Sequence, residues 1–389
     1  MSAQTCLESI PRTEVLAGLK ENSVQVDRSG KFSRDNWRHL AGCGLLGSTV
    51  PCEYGGSGAS AVELAGAIRE IGRACPSTGL CYLMHSCAVS VIASTASDSI
   101  KRRYLPRIAA GEVTVAYAGT ERATGTNFWA LESHAERVDG GWRLKLEKNW
   151  ATLADAADLF VVPTRAGVDA RPTEISLFLV ERADGVWTSD DWRGTGMRGS
   201  SSGPVKVEAV VPHERMLGVP GQANGYVTTD MFNLLLLSHA ALYAAIAEES
   251  FHLAIEQANR RTFSHTGEAL GETSLWQCRL GLLSAKIASC RELVEATARE
   301  MDSGAASGLL LKNALAAKIR ACAVARESSD WAMQISGGSG YNVGQRVEML
   351  WRDARAGSLM RPSDEVAQMI LGRLECGRAP FETVAFDVA

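Results

Sequence analysis

The change of hydrophobic period along this chain limits the folds that it can adopt. Apolar residues recur at helical spacing up to about residue 112, follow strand-like patterns from about 113 to 220, and return to helical spacing from about 225. A segment patterned for one kind of element cannot bury its apolar face as the other kind. The order helical, β, helical therefore predicts an α+β protein in three segments, residues 1–112, 113–224 and 225–389.

Several stretches are regular enough to predict as single elements. Gly and Asp turns separate the strand-like runs, and a loop over 50–58 contains one proline and three glycines. Such residues interrupt regular structure because they favour turns. The predicted helices cover 61–72, 86–93 and 100–108, and the predicted strands cover 114–118, 142–146, 159–162, 175–180 and 205–210.

Composition and charge exclude some classes of function. The 389 residues carry a formal net charge of −4, which argues against nucleic acid or a membrane surface as the main partner. No apolar run reaches the about 18 residues that span a bilayer, and the first residues do not resemble a secretory signal. Ten cysteines show no C-x-x-C pair and no zinc-ligand spacing. This predicts reduced thiols, a cytoplasmic protein and no metal site.

A glycine-rich break over 336–341 separates two helix-like runs near the end of the chain. Glycine tolerates positive φ and lets the backbone approach a ligand closely. A helix that begins after such a break directs free N–H groups outward, which suits a phosphate. Taken alone, however, the pattern favours a plain turn between helices.

The longer stretch 334–373 is more specific. It reads Q-I-x-G-G-x-G-Y, then an R-D-A run at 352–354, then a terminal helix-like run; the loop over 50–58 reads V-P-x-E-Y-G-G-x-G. Together these motifs resemble those of acyl-CoA dehydrogenases, which are FAD-dependent enzymes, and the resemblance covers nearly the whole chain. It implies an N-terminal helical domain, a central β-barrel-like domain and a C-terminal four-helix bundle.

The same resemblance implies where FAD binds. The segment 117–126 is similar to the family's flavin-contacting T-E segment, and 148–152 is similar to its K-x-W-x-T segment. A flavin ring edge alternates hydrogen-bond donors and acceptors, which a hydroxyl and backbone groups can complement. Without the resemblance, a strand with a polar turn and a core tryptophan would explain both segments, and Glu121 is predicted to be structural. The implied flavin contacts are Tyr117, Gly119, Thr120, Gly125, Thr126, Trp150 and Thr152.

Further cofactor contacts implied by the resemblance lie in the C-terminal segment. Arg260 in R-R-T-F would reach the FAD diphosphate of a neighbouring subunit, since guanidinium suits phosphate. Phe263 would pack near the adenosine half, and Gln334 and Gly338 would approach the same diphosphate. A shared site implies a homo-oligomer, a dimer or a tetramer. Ser363 and Glu365 are two further expected FAD contacts.

One substitution puts the family's usual reaction in doubt. The family's catalytic segment contains a Glu that removes the α-proton of the substrate, whereas this chain reads Met-Arg-Pro-Ser, with Arg361 in that place. An alternative position for the base falls near Leu234, and the adjacent position, where relatives have an Arg for the CoA arm, is Leu235. We therefore name Arg361 and Asp364 as candidate catalytic residues.

Three functions remain open from the sequence. The first is an oxygen-using flavin enzyme, as in relatives of secondary metabolism, in which Arg361 orients an anionic substrate or stabilises an oxyanion. The second is an acyl-CoA or acyl-carrier-protein dehydrogenase with a relocated base at Asp364 or Glu365, using an electron-transferring flavoprotein or molecular oxygen as acceptor. The third is a non-catalytic flavin- or acyl-binding subunit. Arg361 could also simply face solvent or pair with Glu365.

Overall fold

Five helices open the chain in the computed structural model, which describes residues 13–125, 127–189, 192–304 and 307–381. A capping box fixes the start of the third, because Ser60 Oγ accepts from the Glu63 amide while Glu63 Oε2 accepts from the Ser60 amide at 2.8 Å. All three predicted helices of this segment are present. The helices are α1 (Thr13–Ser29), α2 (Arg34–Gly42), α3 (Ala61–Ala74), α4 (Pro76–Thr95) and α5 (Asp98–Ala109).

The middle of the described chain forms two four-stranded sheets. One has the strand order β1-β4-β5-β8, in which only β1 and β4 run parallel, and the other is the antiparallel sheet β2-β3-β7-β6. The five predicted strands are present, whereas the short strands β2, β6 and β8 were not predicted. The strands are β1 (Val115–Tyr117), β2 (Ala135–Val138), β3 (Gly141–Ala151), β4 (Leu159–Arg165), β5 (Ile175–Glu181), β6 (Val186–Thr188), β7 (Gly203–Pro212) and β8 (Met216–Leu217).

Helices return after the sheets and form a bundle in which α7 and α9 pack along one another, with α8 and α10 against both. The glycine-rich break lies in α9, which kinks at Gly337, where φ is +62° and only glycine is unstrained. These helices are α6 (Asn224–Thr228), α7 (Asp230–Arg260), α8 (Ser274–Asp302), α9 (Ser307–Gly340), α10 (Arg346–Leu359) and α11 (Asp364–Glu375).

The long helix α7 joins the helical segments into one core, because α3 and α4 also pack against it. Two stretches, Pro76–Thr95 and Asn224–Arg260, are long and apolar enough to cross a membrane by composition alone. Within the fold, however, 72% and 89% of their apolar windows are buried, as expected for core helices of a globular protein. Their apolar surface is therefore used for packing between segments.

A buried histidine connects α4 to the first strand. His85 Nδ1 accepts from the Val115 amide at 3.1 Å, so Nε2 carries the proton that is donated to the Leu46 carbonyl at 3.0 Å. The bond accepted at Nδ1 requires the neutral ring. Burial lowers the pKa of His85 to about 4, although the hydrogen bond donated to the Leu46 carbonyl partly opposes this shift. The imidazole therefore stays neutral inside the fold at pH values where it would be protonated in the unfolded chain.

This histidine should make stability depend on pH. Its folded pKa lies below its unfolded value of about 6.5, so the unfolded state binds more protons as the pH falls from about 6.5 to about 4, and stability is lost in that window. At pH 5 the loss is about 2 kcal/mol. Urea unfolding at pH 7.5 and pH 5 measures how much the free energy of unfolding falls between the two pH values. This fall should be smaller in His85→Gln than in wild type by about 2 kcal/mol. An identical loss in both proteins would contradict the assignment.

Candidate active site

A cavity of about 620 Å³ lies where the three segments meet. Its walls come from α4, the loop after β1, the end of β3, the loop after β6, α7 and the end of α10. Apolar side chains cover much of this surface, including Leu80 and Met84 from α4 and Met231 and Leu235 from α7. A cavity of this size and character is typical of a small-molecule or cofactor site.

A buried ion pair supports the wall formed by β1 and β3. Lys148 Nζ pairs with Glu121 Oε1 and also donates to the Pro163 carbonyl at 2.7 Å. Glu121 accepts in addition from the Glu132 amide at 2.7 Å and from the Ser133 hydroxyl and amide. Burial would raise the pKa of Glu121, but Lys148 and these hydrogen bonds outweigh it and lower the pKa. Glu121 is thus a structural anion, and its backbone partners lie in the loop before β2 rather than in its own turn.

Arg361 reaches into the cavity from the turn after α10. Its Nη2 donates to Thr120 Oγ1 at 2.7 Å, and its guanidinium carbon lies 5.6 Å from the centre of the Phe128 ring. Burial lowers the pKa of Arg361, yet the group stays charged at neutral pH. In the described chain it forms no ion pair, with Glu365 or any other carboxylate. A desolvated cation therefore faces the cavity.

The R-D-A run holds another part of the wall. Arg352 Nη1 donates to the Thr195 carbonyl at 2.8 Å, and Asp353 Oδ1 accepts from the Met197 amide at 2.6 Å. These bonds fix the loop that carries Trp192, whose ring centre lies 5.8 Å from that of Trp150. The two tryptophans are neighbours in the cavity wall, and Trp150 is 54% exposed.

Comparison with known proteins shows the family of this chain. Residues 12–112, 116–210 and 224–374 match the models of the N-terminal, middle and C-terminal domains of acyl-CoA dehydrogenase. The chain belongs to the acyl-CoA dehydrogenase family. Members of this family are flavin-dependent oxidoreductases, and FAD is the family's cofactor.

Individual relatives are distant in sequence. The mitochondrial isovaleryl-CoA dehydrogenase of Oryza sativa subsp. japonica is 29% identical over 357 residues, which cover 90% of this chain and 86% of the relative. The fold is similar to butyryl-CoA dehydrogenase from Megasphaera elsdenii, with a TM-score of 0.87 at 22% identity over 93% and 96% of the two chains. It is also similar to dibenzothiophene monooxygenase from Paenibacillus sp. A11-2, with a TM-score of 0.83 at 20% identity over 94% and 96%.

The residues predicted to contact the flavin ring line the cavity, as far as the structure describes them. Thr126 lies outside the described residues. Gly119 is needed for close approach, because a Cβ there would come within 2.4 Å of the Tyr117 ring and 3.2 Å of Arg361 Nη1. The lining residues of this set are Tyr117, Gly119, Thr120, Gly125, Trp150 and Thr152.

Unpartnered polar atoms support the fit of a flavin. Asn149 and Arg361 both line the cavity. Asn149 Oδ1 and Arg361 Nε are buried and have no hydrogen-bond partner in the part of the chain that the structure describes. Buried polar groups are normally hydrogen-bonded. One free acceptor and one free donor match a ligand edge that alternates donors and acceptors, as the flavin pyrimidine does. The residues present therefore fit FAD.

The predicted diphosphate contacts lie elsewhere on this family member. Arg260 lines a second cavity of about 400 Å³ between α7 and the end of α9. Gln334 and Gly338 are exposed on α9, and Phe263 is half-buried in the loop after α7. The structure does not bring these four residues to the main cavity.

Asp364, the candidate base predicted from the sequence, does not line the cavity. Its two carboxylate oxygens accept from Lys318 Nζ and Arg326 Nη1, each at 2.8 Å, and the carboxylate is buried. Lys318 also donates to the Pro362 carbonyl at 2.8 Å. This network anchors the turn that carries Arg361. Ser363 and the exposed Glu365 likewise do not line the cavity.

An anchoring role for Asp364 predicts an effect on stability. Asp364→Asn should lower the free energy of unfolding by about 3 kcal/mol, because Lys318 stays buried without its counter-charge. The neighbouring exposed variant Glu365→Gln should change it by less than about 0.5 kcal/mol. Urea unfolding measures both. Full stability of Asp364→Asn, together with loss of an acyl-CoA-dependent reaction, would instead identify a base.

Among the residues that line the cavity and that sequence reasoning did not assign to it, Asn149, Trp192 and His239 carry polar or aromatic groups that a ligand can use. Asn149 precedes the assigned Trp150, and Trp192 lies in a loop without a sequence pattern. His239 had a detectable signal, because Met231, Leu235 and His239 follow one another at four-residue intervals on one face of α7.

Proposed function

We propose that this chain is an FAD-dependent oxidoreductase that uses molecular oxygen as electron acceptor and oxidises an acyl thioester or a related small molecule. The observation that carries the proposal is the guanidinium of Arg361 in the cavity, at the position where the family resemblance expects a carboxylate base. The family's α,β-dehydrogenation requires removal of an α-proton. Transfer of one oxygen atom of O2 to the substrate, with the second released as water and two electrons supplied to the flavin by a separate reductase, has no need of that base.

The shortage of a usable carboxylate supports this reading. A general base must come within hydrogen-bond distance of the proton that it removes. Among the described residues that line the cavity, Glu121 is the sole carboxylate, and its oxygens are occupied by Lys148 and by the loop before β2. Asp364 is held by Lys318 and Arg326, and the alternative position carries Leu234.

Arg361 would hold an oxygen that carries negative charge in the substrate or develops it during the reaction. The guanidinium offers several donors in a planar fork, and one of them is fixed by Thr120. Electrostatic interactions are stronger in a water-poor, apolar cavity, which Leu80, Met84 and Leu235 provide here. The substrate therefore combines an anionic or carbonyl oxygen with an apolar body.

FAD, when bound, supplies the two-electron chemistry. The segments 117–125 and 149–152 would hold its ring through hydroxyl, amide and backbone groups. The exposed positions of Arg260, Gln334 and Gly338, away from this cavity, support a shared diphosphate site and hence a homo-oligomer. The nine cysteines in the described chain are free, which supports a reducing, cytoplasmic location.

A second candidate is α,β-dehydrogenation of an acyl thioester. The match to an isovaleryl-CoA dehydrogenase over 90% of this chain favours it. It requires a base that the residues described around the cavity do not offer.

The test compares two reactions of the purified FAD-loaded protein. We expect no bleaching of the flavin by isovaleryl-CoA or butyryl-CoA without oxygen, and faster reoxidation of the photoreduced protein in air than for a butyryl-CoA dehydrogenase measured in parallel. Anaerobic bleaching with slow reoxidation would establish the dehydrogenase instead. A protein that retains no FAD after reconstitution would leave only a binding role.

A further inference from the structure

His239 is a polar residue in the apolar wall that α7 gives to the cavity. Met231 and Leu235 precede it at four-residue intervals, so the three side chains form one stripe along the helix. The side chain is 3% exposed. It is the member of this stripe that can donate or accept a hydrogen bond.

The ring has no partner in the described part of the chain. Nδ1 is buried without a hydrogen bond, and no described residue bonds to either ring nitrogen. His85, the other buried histidine on a helix of this core, uses both nitrogens. An unpartnered buried polar group lowers stability, so native proteins seldom keep one without a function. Unlike most of the unpartnered buried atoms in the described chain, Nδ1 of His239 belongs to a residue that lines the cavity, where a ligand can supply the partner.

The charge state of His239 limits what it can bind. Burial lowers its pKa to about 3, and the positive charge of Lys318 acts in the same direction. The ring is therefore neutral at physiological pH and offers one donor and one acceptor. Lys318 also bonds to the carbonyl of Pro362, next to Arg361 in the chain. His239 and Arg361 both line the cavity.

We propose that His239 is a specificity-determining residue that forms a hydrogen bond with a hydroxyl group of the substrate, in addition to the oxygen held by Arg361. This inference rests on the proposed function, since it takes the cavity as the substrate site. The ligand class is therefore a hydroxylated small molecule with an apolar body and an anionic oxygen.

The position of His239 favours a substrate over the cofactor as its partner. The described residues expected to hold the flavin ring come from the segments 117–125 and 149–152 of the β region. His239 belongs to α7, in the wall made with Met231 and Leu235. Apolar neighbours on the same stripe suit the body of a substrate, and the imidazole suits one polar substituent on it.

The experiment measures binding of matched probes to the FAD-loaded protein by titration calorimetry. The probes are three pairs that differ only by hydroxyl against methyl: 4-hydroxybenzoate and 4-methylbenzoate, the two 3-substituted benzoates, and the two 4-substituted phenylacetates. Wild type should prefer the hydroxyl member of at least one pair by about tenfold, the equivalent of one hydrogen bond. His239→Leu should lose this preference while it binds the methyl member as before, and His239→Asn should keep part of it.

Two controls separate the possible failures. Arg361→Met should weaken both members of a pair equally, which tests the anion site of the proposed function. The melting temperature and FAD content of His239→Leu should be no lower than those of wild type, because leucine removes an unpartnered polar group. The inference is overturned if the hydroxyl preference survives in His239→Leu, or if wild type shows no preference in any of the three pairs. In either case the proposed function still holds if binding depends on Arg361. A lower melting temperature or loss of FAD in His239→Leu would assign the ring to the core or to the cofactor.

Discussion

Replacing Arg361 with methionine is expected to weaken binding of benzoate to the FAD-loaded protein by about 10- to 100-fold. Methionine keeps much of the apolar stem but removes the charge and the planar fork. In the structure this guanidinium is desolvated, has no carboxylate partner in the described chain, and is oriented by Thr120. An anion that enters the cavity would therefore replace the missing counter-charge.

Two further variants make this prediction specific. Arg122 also lines the cavity but is exposed, so Arg122→Met should change benzoate affinity by less than about threefold, as expected for a solvated charge. Arg361→Lys keeps the charge without the fork and should fall between wild type and Arg361→Met. Titration calorimetry at constant ionic strength measures all three. Equal benzoate affinity in wild type and Arg361→Met would show that the anion does not bind at Arg361.

The second large effect is expected from the ion pair behind the cavity wall. Glu121→Gln should lower the free energy of unfolding by about 3–5 kcal/mol, because Lys148 is completely buried and loses its counter-charge. Burial already lowers the pKa of Lys148 to about 8, and Glu121 is the main group that opposes this shift. The double variant Glu121→Gln/Lys148→Met should recover much of the loss, since the uncompensated charge is gone.

An exposed pair serves as the reference. Asp35 and Arg38 form an ion pair at 2.7 Å whose side chains are more than 70% exposed, so Asp35→Asn should cost less than about 1 kcal/mol. Urea unfolding of these variants forms a double-mutant comparison. Additive losses in the Glu121/Lys148 double variant would show that the two residues do not act as a pair.

The contacts of the two candidate catalytic residues show what proximity in sequence cannot predict. Asp364 was chosen because it is three positions from Arg361, but Lys318, 46 residues away, binds its carboxylate. Arg361 was chosen from a motif, yet its surroundings depend on Thr120, 241 residues away. Proximity in sequence fixes neither contact, because side chains find their partners through the packing of separate elements.

The sequence by itself determined the order of helical and β segments, because apolar periodicity and turn residues act over a few neighbouring positions. Its motifs carried the resemblance to the family. The resemblance also predicted that Arg361 stands where the family has its catalytic carboxylate. Only the tertiary structure decided that Arg361 faces a cavity, that Glu121 pairs with Lys148, and that Nδ1 of His239 has no hydrogen-bond partner among the described residues. These properties depend on burial and on contacts between distant segments, and burial is created only when the helices and sheets pack together.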